Sequence, residues 1–450
     1  MFRHSDAPAR YRLRLMLAFE AYLTATVLIY LFGPLALPEP HVVTVALLVL
    51  AYQAALFAGF LLAERLVPLG AGSRPPASSG GGGCWLIAPV ALGGTLSVFF
   101  SYASLSAYAQ SWNPLRLLTS VSRSIQNPAA AYAANHAVSA EAGTWITKAS
   151  TLAAPLTFAA FALGLYHFRK MPLAVRALVV ADGLLQLFTA VVRGMNFGVF
   201  KVTAVVLTVT LLSMLSRMPR RSLRRSTFYA RAVALALTLV AFLGYFSVTT
   251  GDRLSASQPS VIAGIPIDYT SPLISHLPES LQQPAVLLSL YLGQGYHGLS
   301  LALDHTFSST YGLGNSMFVM NNVKRSFGWD LFPRTYIHKM NPAWSESQNW
   351  HTAYTWFAND VSLWGVPVVM FGVGCLLSVV LRGAMREDAL AIAVLPLLMM
   401  MMFFLPANNV VISNPLTFMP FATLGTIYVL LLAHHRSRDR PISLRRRRTL

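Results

Sequence analysis

Residues 284 to 303 read PAVLLSLYLGQGYHGLSLAL, and the topology of the whole chain turns on whether this stretch crosses a membrane. It has the length of about 20 residues that spanning the hydrocarbon core requires, yet Gly293, Gln294, Gly295, His297 and Gly298 occupy its centre. Counting it as a span would invert everything after it and carry the terminal RRRR at 445 to 448 across the membrane. Lys and Arg resist translocation and mark the cytoplasmic side. The stretch therefore reads as a re-entrant or interfacial helical segment buried against the bundle, its backbone broken where protein or a wet cavity satisfies it.

The surrounding composition is that of a bilayer protein. Of 450 residues, 55% are hydrophobic and only 11% charged, too little polar surface for a soluble chain of this size. Apolar segments near 14 to 37, 41 to 63, 85 to 108, 147 to 168, 173 to 192, 195 to 217, 228 to 248, 359 to 381, 388 to 405 and 411 to 433 predict an all-α polytopic membrane protein of about ten transmembrane helices. The first follows a basic N-terminus and lacks a small-residue cleavage site, so it reads as a retained helix.

With the N-terminus inside, more than two thirds of the 34 Lys and Arg fall in the N-terminus, in 64 to 84, 169 to 176, 217 to 231 and 382 to 386, and in the basic tail 434 to 450. Each cluster sits where alternation of ten spans requires a cytoplasmic segment. Both termini read as cytoplasmic. The chain then divides into helices one to seven (1 to 248), one large outer loop (249 to 358), helices eight to ten (359 to 433) and the tail. A shorter outer segment covers 109 to 146. The linker AGSRPPASSGGGGC at 71 to 84 is a flexible connection. The formal charge of +18 is accounted for by topology and by membrane lipids, at about 1 kcal/mol per cation near an anionic surface, so nucleic acid is not an expected partner.

Charges inside or at the ends of membrane helices are costly and informative. Glu20 and Asp182 read either as interhelical hydrogen-bond partners or as members of a proton relay. Arg193 sits in VVRGMNFGVFK, residues 191 to 201, a tight outer turn. It is either a holder of a lipid pyrophosphate, for which a guanidinium fork is suited, or an arginine snorkelling to phospholipid headgroups. Lys201, Lys324, Arg325, Arg334 and Lys339 are further outer cations, solvated or site-directed, with Arg325 and Arg334 best placed to reach a site. Cys84 and Cys375 lie too far apart for a disulfide framework. His276, His297, His305 and His338 include no metal-binding pair at i, i+4, so no metal site is expected.

The large loop re-enters the membrane at NWHTAYTWFANDVSLWG, residues 349 to 365. On one continuous helix His351 and Asp360 would be turned about 900° apart, onto opposite faces, so sharing a cavity needs a break between them. A neutral imidazole at a water-accessible rim takes a proton at neutral pH, which makes His351 the better base. Tyr296, Trp344, Trp350 and Trp356 are placed either to stack on sugar rings or to anchor the interface.

His351, Tyr354, Asp360, Ser362 and Gly365 form H-x-x-Y-x-x-x-x-x-D-x-S-x-x-G, which resembles the signature of the O-antigen ligase and polymerase superfamily. Thr352 stands where that pattern has Asn, and Ser362 where it has Gly. TYGLGNSMF at 310 to 318 resembles the G-x-G stretch ahead of the His motif. YLGQGYHGLSLALD at 291 to 304 resembles the Q-G-Y-x-G-L-S run of the oligosaccharide repeat-unit polymerases, the Wzy group. Arg193 matches the arginine at the outer end of a short hairpin.

The resemblance implies a GT-C-like architecture in the bacterial inner membrane and a metal-independent glycosyl transfer without cofactor. The donor would be a glycan on undecaprenyl pyrophosphate, and the acceptor the sugar hydroxyl of another lipid-linked unit. His351 would be the base and Arg193 the pyrophosphate holder, with Arg325, Arg334, Lys201, Tyr296, Tyr354 and Asp360 binding substrate or positioning the site. A chain-length regulator and a flippase would be partners. The competing readings are a ligase moving polymer to lipid A core, and a flippase or transporter. The latter should line its interior with charge, whereas only Glu20 and Asp182 lie well inside.

Overall fold

The computed structural model describes residues 7–38, 40–66, 84–141, 145–216, 225–251, 260–262, 264–346 and 348–438. The linker from 71 to 83, the RMPRRSLRR run as far as 224 and the tail beyond 438 lie outside the described residues. The chain runs α1 (Ala7–Phe32), α2 (Val42–Leu66), α3 (Cys84–Ala109), α4 (Pro114–Gln126), α5 (Pro128–Glu141), α6 (Trp145–Tyr166), α7 (Leu173–Val192), α8 (Asn196–Leu215) and α9 (Arg225–Gly251). A two-residue hairpin follows, β1 (Val261–Ile262) with β2 (Ile265–Pro266), then α10 (Glu279–Ala302), α11 (Met317–Phe327), α12 (Tyr336–Met340), α13 (Ala353–Val361), α14 (Val366–Met385), α15 (Ala389–Phe404), α16 (Val410–Ser413) and α17 (Pro415–Arg438).

Among the described residues, 9 helices are long and apolar enough to cross a membrane, and the protein is an all-α, multi-pass membrane protein. The tenth expected span, α15, has only 16 residues, about 24 Å at 1.5 Å per residue against a core of about 30 Å. Its residues from Ala391 to Leu398 are all buried, so protein rather than lipid surrounds it and its length need not match the bilayer. The eighth span begins at Leu363 rather than 359. The first helix stops at Phe32, and Leu35 beyond it bridges to Ile267 beside the hairpin.

Two glycines set the closest helix crossing. A Cβ at Gly59 on α2 would meet the Phe371 carbonyl oxygen at 2.0 Å, and one at Gly374 on α14 would meet that of Leu56 at 2.0 Å. Backbones that touch in this way gain dispersion contacts where lipid removes the usual hydrophobic incentive to associate. At the same bundle end as the N-terminus, Arg12 grips Glu64 through two bonds of 3.0 and 2.7 Å. Arg382 donates to the Ala63 carbonyl at 2.7 Å.

The opposite end gathers the segments that the charge pattern groups as outer. His41 after the first helix pairs with Asp304 at 2.8 Å. Thr249 near the end of α9 donates to Asn196 at the start of α8 at 3.0 Å. Residues 109 to 146, expected as mixed outer chain, fold largely into α4 and α5. Asn113 caps α4 by accepting from the Leu115 amide, and Pro114 occupies its first turn. Leu117 and Val121 then seat α4 on Leu105 and Val192.

All of the stretch 284 to 303 except its last residue, the C-cap Leu303, lies within α10, which is a single helix rather than the broken segment expected. Its glycines weaken the helix but face close neighbours: a Cβ at Gly295 would meet the Pro406 oxygen at 2.6 Å, and one at Gly298 would meet His351 Nδ1 at 2.9 Å. Packing thus offsets the propensity cost of about 1 kcal/mol per glycine. α10 meets the last turns of α1, where Tyr296 and Thr26 share a hydrogen bond of 2.9 Å, and is not one of the apolar spans.

Candidate functional site

A cavity of about 170 Å³ opens among α3, α6, α7, α8 and the start of α17, and Arg193 and Lys201 both line it. The sequence around Arg193 explains its placement. Arg193 is the C-cap of α7, and Gly194 follows with φ 60, its amide returning to the Val191 carbonyl at 2.9 Å. This left-handed glycine closes the helix. A Cβ there would also strike the Tyr132 backbone nitrogen of α5 at 2.6 Å, so the turn is clamped against the outer helices. The guanidinium lies over the Tyr108 ring at 4.6 Å, a cation–π contact that orients it.

Lys201, in the second turn of α8, lies within electrostatic reach of Arg193 and of Asp182. Asp182 is buried on α7, where its Oδ1 accepts from Ser97 at 2.6 Å and from Gln186 at 2.8 Å. Its Oδ2 has no hydrogen-bond partner. Of the two readings of Asp182, interhelical partner is the one this geometry carries. No acidic side chain is among the described residues that line the cavity, whereas Ser97, Ser101, Ser104, Thr157, Gln186 and Asn414 supply hydroxyls and amides. The arrangement suits an oxyanion or a polyhydroxylated ligand: two cations for charge, and short polar groups for hydrogen bonds.

His351 does not line this cavity. It precedes α13 and is only 2% exposed, not at a water-accessible rim. Gly298 of α10 lies against its Nδ1, and neither ring nitrogen has a hydrogen-bond partner. Burial holds its pKa down at about 3, because the charged imidazolium would be poorly solvated there. The walls are aromatic. Trp344 stacks edge-on with His297 at 4.6 Å and donates to the Trp350 carbonyl at 3.1 Å. Trp350 meets Tyr291 at 4.3 Å.

The break between His351 and Asp360 falls at Thr352, where α13 begins. α13 is continuous through Asp360, His351 stands before it, and the helix ends at Ser362, which has φ 65 and ψ 165. That region is essentially glycine-only. Thr352 is the N-cap of α13, accepting from the Thr355 amide at 3.1 Å.

Asp360, expected to bind substrate or to position the site, holds chain. It accepts from the Gly314 amide at 2.9 Å, the Asn315 amide at 3.0 Å and the Thr310 hydroxyl. Asn359, which sequence reasoning passed over, is buried beside it. Asn359 donates to the Gly314 carbonyl at 3.0 Å and accepts from the Tyr336 amide at 2.9 Å. The TYGLGN loop is thereby folded onto α13, and a Cβ at Gly314 would fall 2.1 Å from the Thr310 hydroxyl. The loop continues to α16: Asn409 donates to the Asn315 carbonyl at 2.7 Å, and Ser316 to that of Ile412 at 2.7 Å. Asn414, next after α16, lines the cavity. Asp360 is thereby linked through the loop and α16 to the cavity's edge.

The other expected residues fall into two groups. Tyr296 and Tyr354 are fully buried, Tyr354 against the Tyr52 ring at 5.1 Å, and neither offers a face to a sugar. Arg334 donates to the Tyr311 hydroxyl at 2.9 Å and lies over that ring, while Lys339 donates to the Thr306 carbonyl at 2.6 Å. Lys324 pairs with Asp330. These three brace the loop, and Arg325 is exposed on α11. Ser97, Gln186 and Asn414 were missed; the only sequence trace was Gln186 four residues after Asp182, on one helix face.

Among the described residues, no group of three or more His, Cys, Asp and Glu side chains is arranged to hold a metal ion. Compared with family models, with curated proteins and with solved structures, the chain finds no match.

Proposed function

We propose that the protein is an inner-membrane glycosyltransferase of the oligosaccharide repeat-unit polymerase type, with both termini cytoplasmic and residues 249 to 358 on the periplasmic face. The observation that carries the reading is the cavity shared by Arg193 and Lys201, at the bundle end where the expected outer segments gather. Two cations lining one cavity, with no carboxylate among its described lining residues and Asp182 behind Lys201, suit the pyrophosphate of an undecaprenyl-linked glycan. Charge grows on that group as the glycosyl bond breaks, and fixed cations stabilise it most in the transition state. The hydroxyls and amides beside them suit the first sugar.

His351 is the proton acceptor in this reading. Substrate entry has to part α10 from the 349 to 352 segment, exposing the imidazole and restoring its pKa toward 6.5, where it can take the acceptor hydroxyl's proton. Proton and leaving group balance: the acceptor oxygen bonds to the donor's anomeric carbon, the bond from that carbon to pyrophosphate breaks, and His351 keeps the proton until product leaves.

Deletion of the gene followed by gel analysis of surface polysaccharide tests the assignment. A polymerase leaves single repeat units attached. Bare core would instead mean a ligase, and loss of both polymer and single-repeat capping a flippase.

A further inference from the structure

A second cavity, of about 310 Å³, opens at the other end of the bundle, between α6, α8 and α9. Arg169, Lys170 and Arg231 line it together with His167, and no acidic side chain is among its described lining residues. Leu165, Val206, Val209 and Ala234 make the rest largely apolar. The site has fixed walls. Arg176 donates to the carbonyls of Met171 at 2.7 Å and Arg169 at 2.8 Å, which pins the short turn carrying Arg169 and Lys170. Arg231 donates to the Ser213 hydroxyl at 3.1 Å and is thereby held across the gap from α9 to α8.

We propose that this cavity holds the headgroup phosphate of an anionic phospholipid. Three converging cations attract a phosphate, and a basic recess between membrane helices at a bundle end lies at headgroup depth. The apolar lining and the flank of α9 distinguish a lipid from a free anion. Val233, Leu237 and Val240, at helical spacing next to Ala234, are 56%, 63% and 65% exposed, a strip on which acyl chains lie. α9 packs mainly on α8, so a lipid wedged beside it would complete the contact that protein leaves open. The inference does not depend on the reaction assigned to the opposite end.

The test is thermal unfolding of the purified full chain in detergent, with phosphatidylglycerol, phosphatidylcholine or inorganic phosphate added. Phosphatidylglycerol alone should raise the midpoint. In the variant R169Q/K170Q the lipid concentration for half the effect should rise about thirtyfold, as expected for two headgroup cations. That variant keeps the turn, because Arg176 grips backbone carbonyls there. Equal protection by phosphatidylcholine, equal protection by phosphate, or an unchanged response of R169Q/K170Q would each overturn the proposal. Arg231→Gln should weaken the response further, and an unshifted response in it would also count against the site.

Discussion

The cavity of Arg193 and Lys201 and the slot of His351 sit at the same end of the bundle and are built in opposite ways. In the first, two cations line an open volume among hydroxyls and amides; the Tyr108 ring orients Arg193, and Asp182 lies within electrostatic reach of Lys201. In the second, an imidazole with two bare nitrogens is sealed by a glycine of α10 and a wall of tryptophan and tyrosine. For the proposed reaction, the difference teaches that binding and proton transfer have different structural requirements. A charge-binding site can stand open and preorganised, whereas in the proposed reaction the buried His351 has to be uncovered before it can act as base.

Variants at the two places should break differently. His351→Ala should lower turnover by roughly 10² to 10⁴ while donor is still bound, as for a lost general base. Arg193→Ala should lower turnover of bound donor by about 10² to 10³ and weaken donor binding as well. Arg193→Lys should recover part of the loss, since it keeps the charge but not the bidentate fork. Steady-state assays separating kcat from KM distinguish these outcomes, and identical profiles for His351→Ala and Arg193→Ala would erase the contrast.

Acid should act on the slot and not on the cavity. His351 has its pKa lowered from 6.5 to about 3 by burial, so the unfolded chain takes up the proton first. Its contribution to stability is complete above about 6.5 and is lost as pH falls toward 3. Between pH 7 and pH 5 the loss amounts to about 2 kcal/mol. His351→Gln should remove that share of the pH dependence, as read from unfolding midpoints against pH, while Arg193→Gln leaves it in place.

Asp360→Asn tests the loop that joins the two. The carboxylate accepts from two amides and a hydroxyl, and an amide oxygen cannot serve all three, so a loss of about 1 to 3 kcal/mol is expected. Its activity should fall far less than that of His351→Ala; equal loss would make Asp360 part of the chemistry.

The smallest effect is expected at Ser362, whose φ of 65 and ψ of 165 suit glycine. Ser362→Gly should stabilise the protein by about 1 kcal/mol through relief of backbone strain. A lowered melting temperature would show that the hydroxyl matters more than the backbone.

The spans were legible because a stretch of about twenty apolar residues leaves the backbone few alternatives in lipid. α15 was legible as apolar but not as short, since its burial depends on neighbours distant in sequence. α4 and α5 were hidden because helices of 13 and 14 residues lack the length of a span. Arg193 and Lys201 stood out as costly charges, and the hairpin from 191 to 201 already held them together. The polar lining did not stand out, because Ser97, Thr157 and Asn414 come from three separate elements. The burial of His351 was invisible for the same reason: Gly298, which seals it, belongs to α10, and nothing local to residues 349 to 365 reveals that contact. Asp360 stood out in the 349 to 365 stretch, but its partners lie on the TYGLGN loop, so its role in holding chain emerged only from the fold.

The most direct test is reconstitution of the purified protein in lipid nanodiscs with an undecaprenyl-pyrophosphate-linked repeat unit, followed by mass analysis of the lipid-linked products. Wild-type protein should form dimers and longer glycans and release undecaprenyl pyrophosphate, and Arg193→Ala combined with Lys201→Ala should form almost none while melting at the wild-type temperature. Elongation by the double variant at the wild-type rate, or no elongation by the wild type with its own repeat unit, would contradict the account.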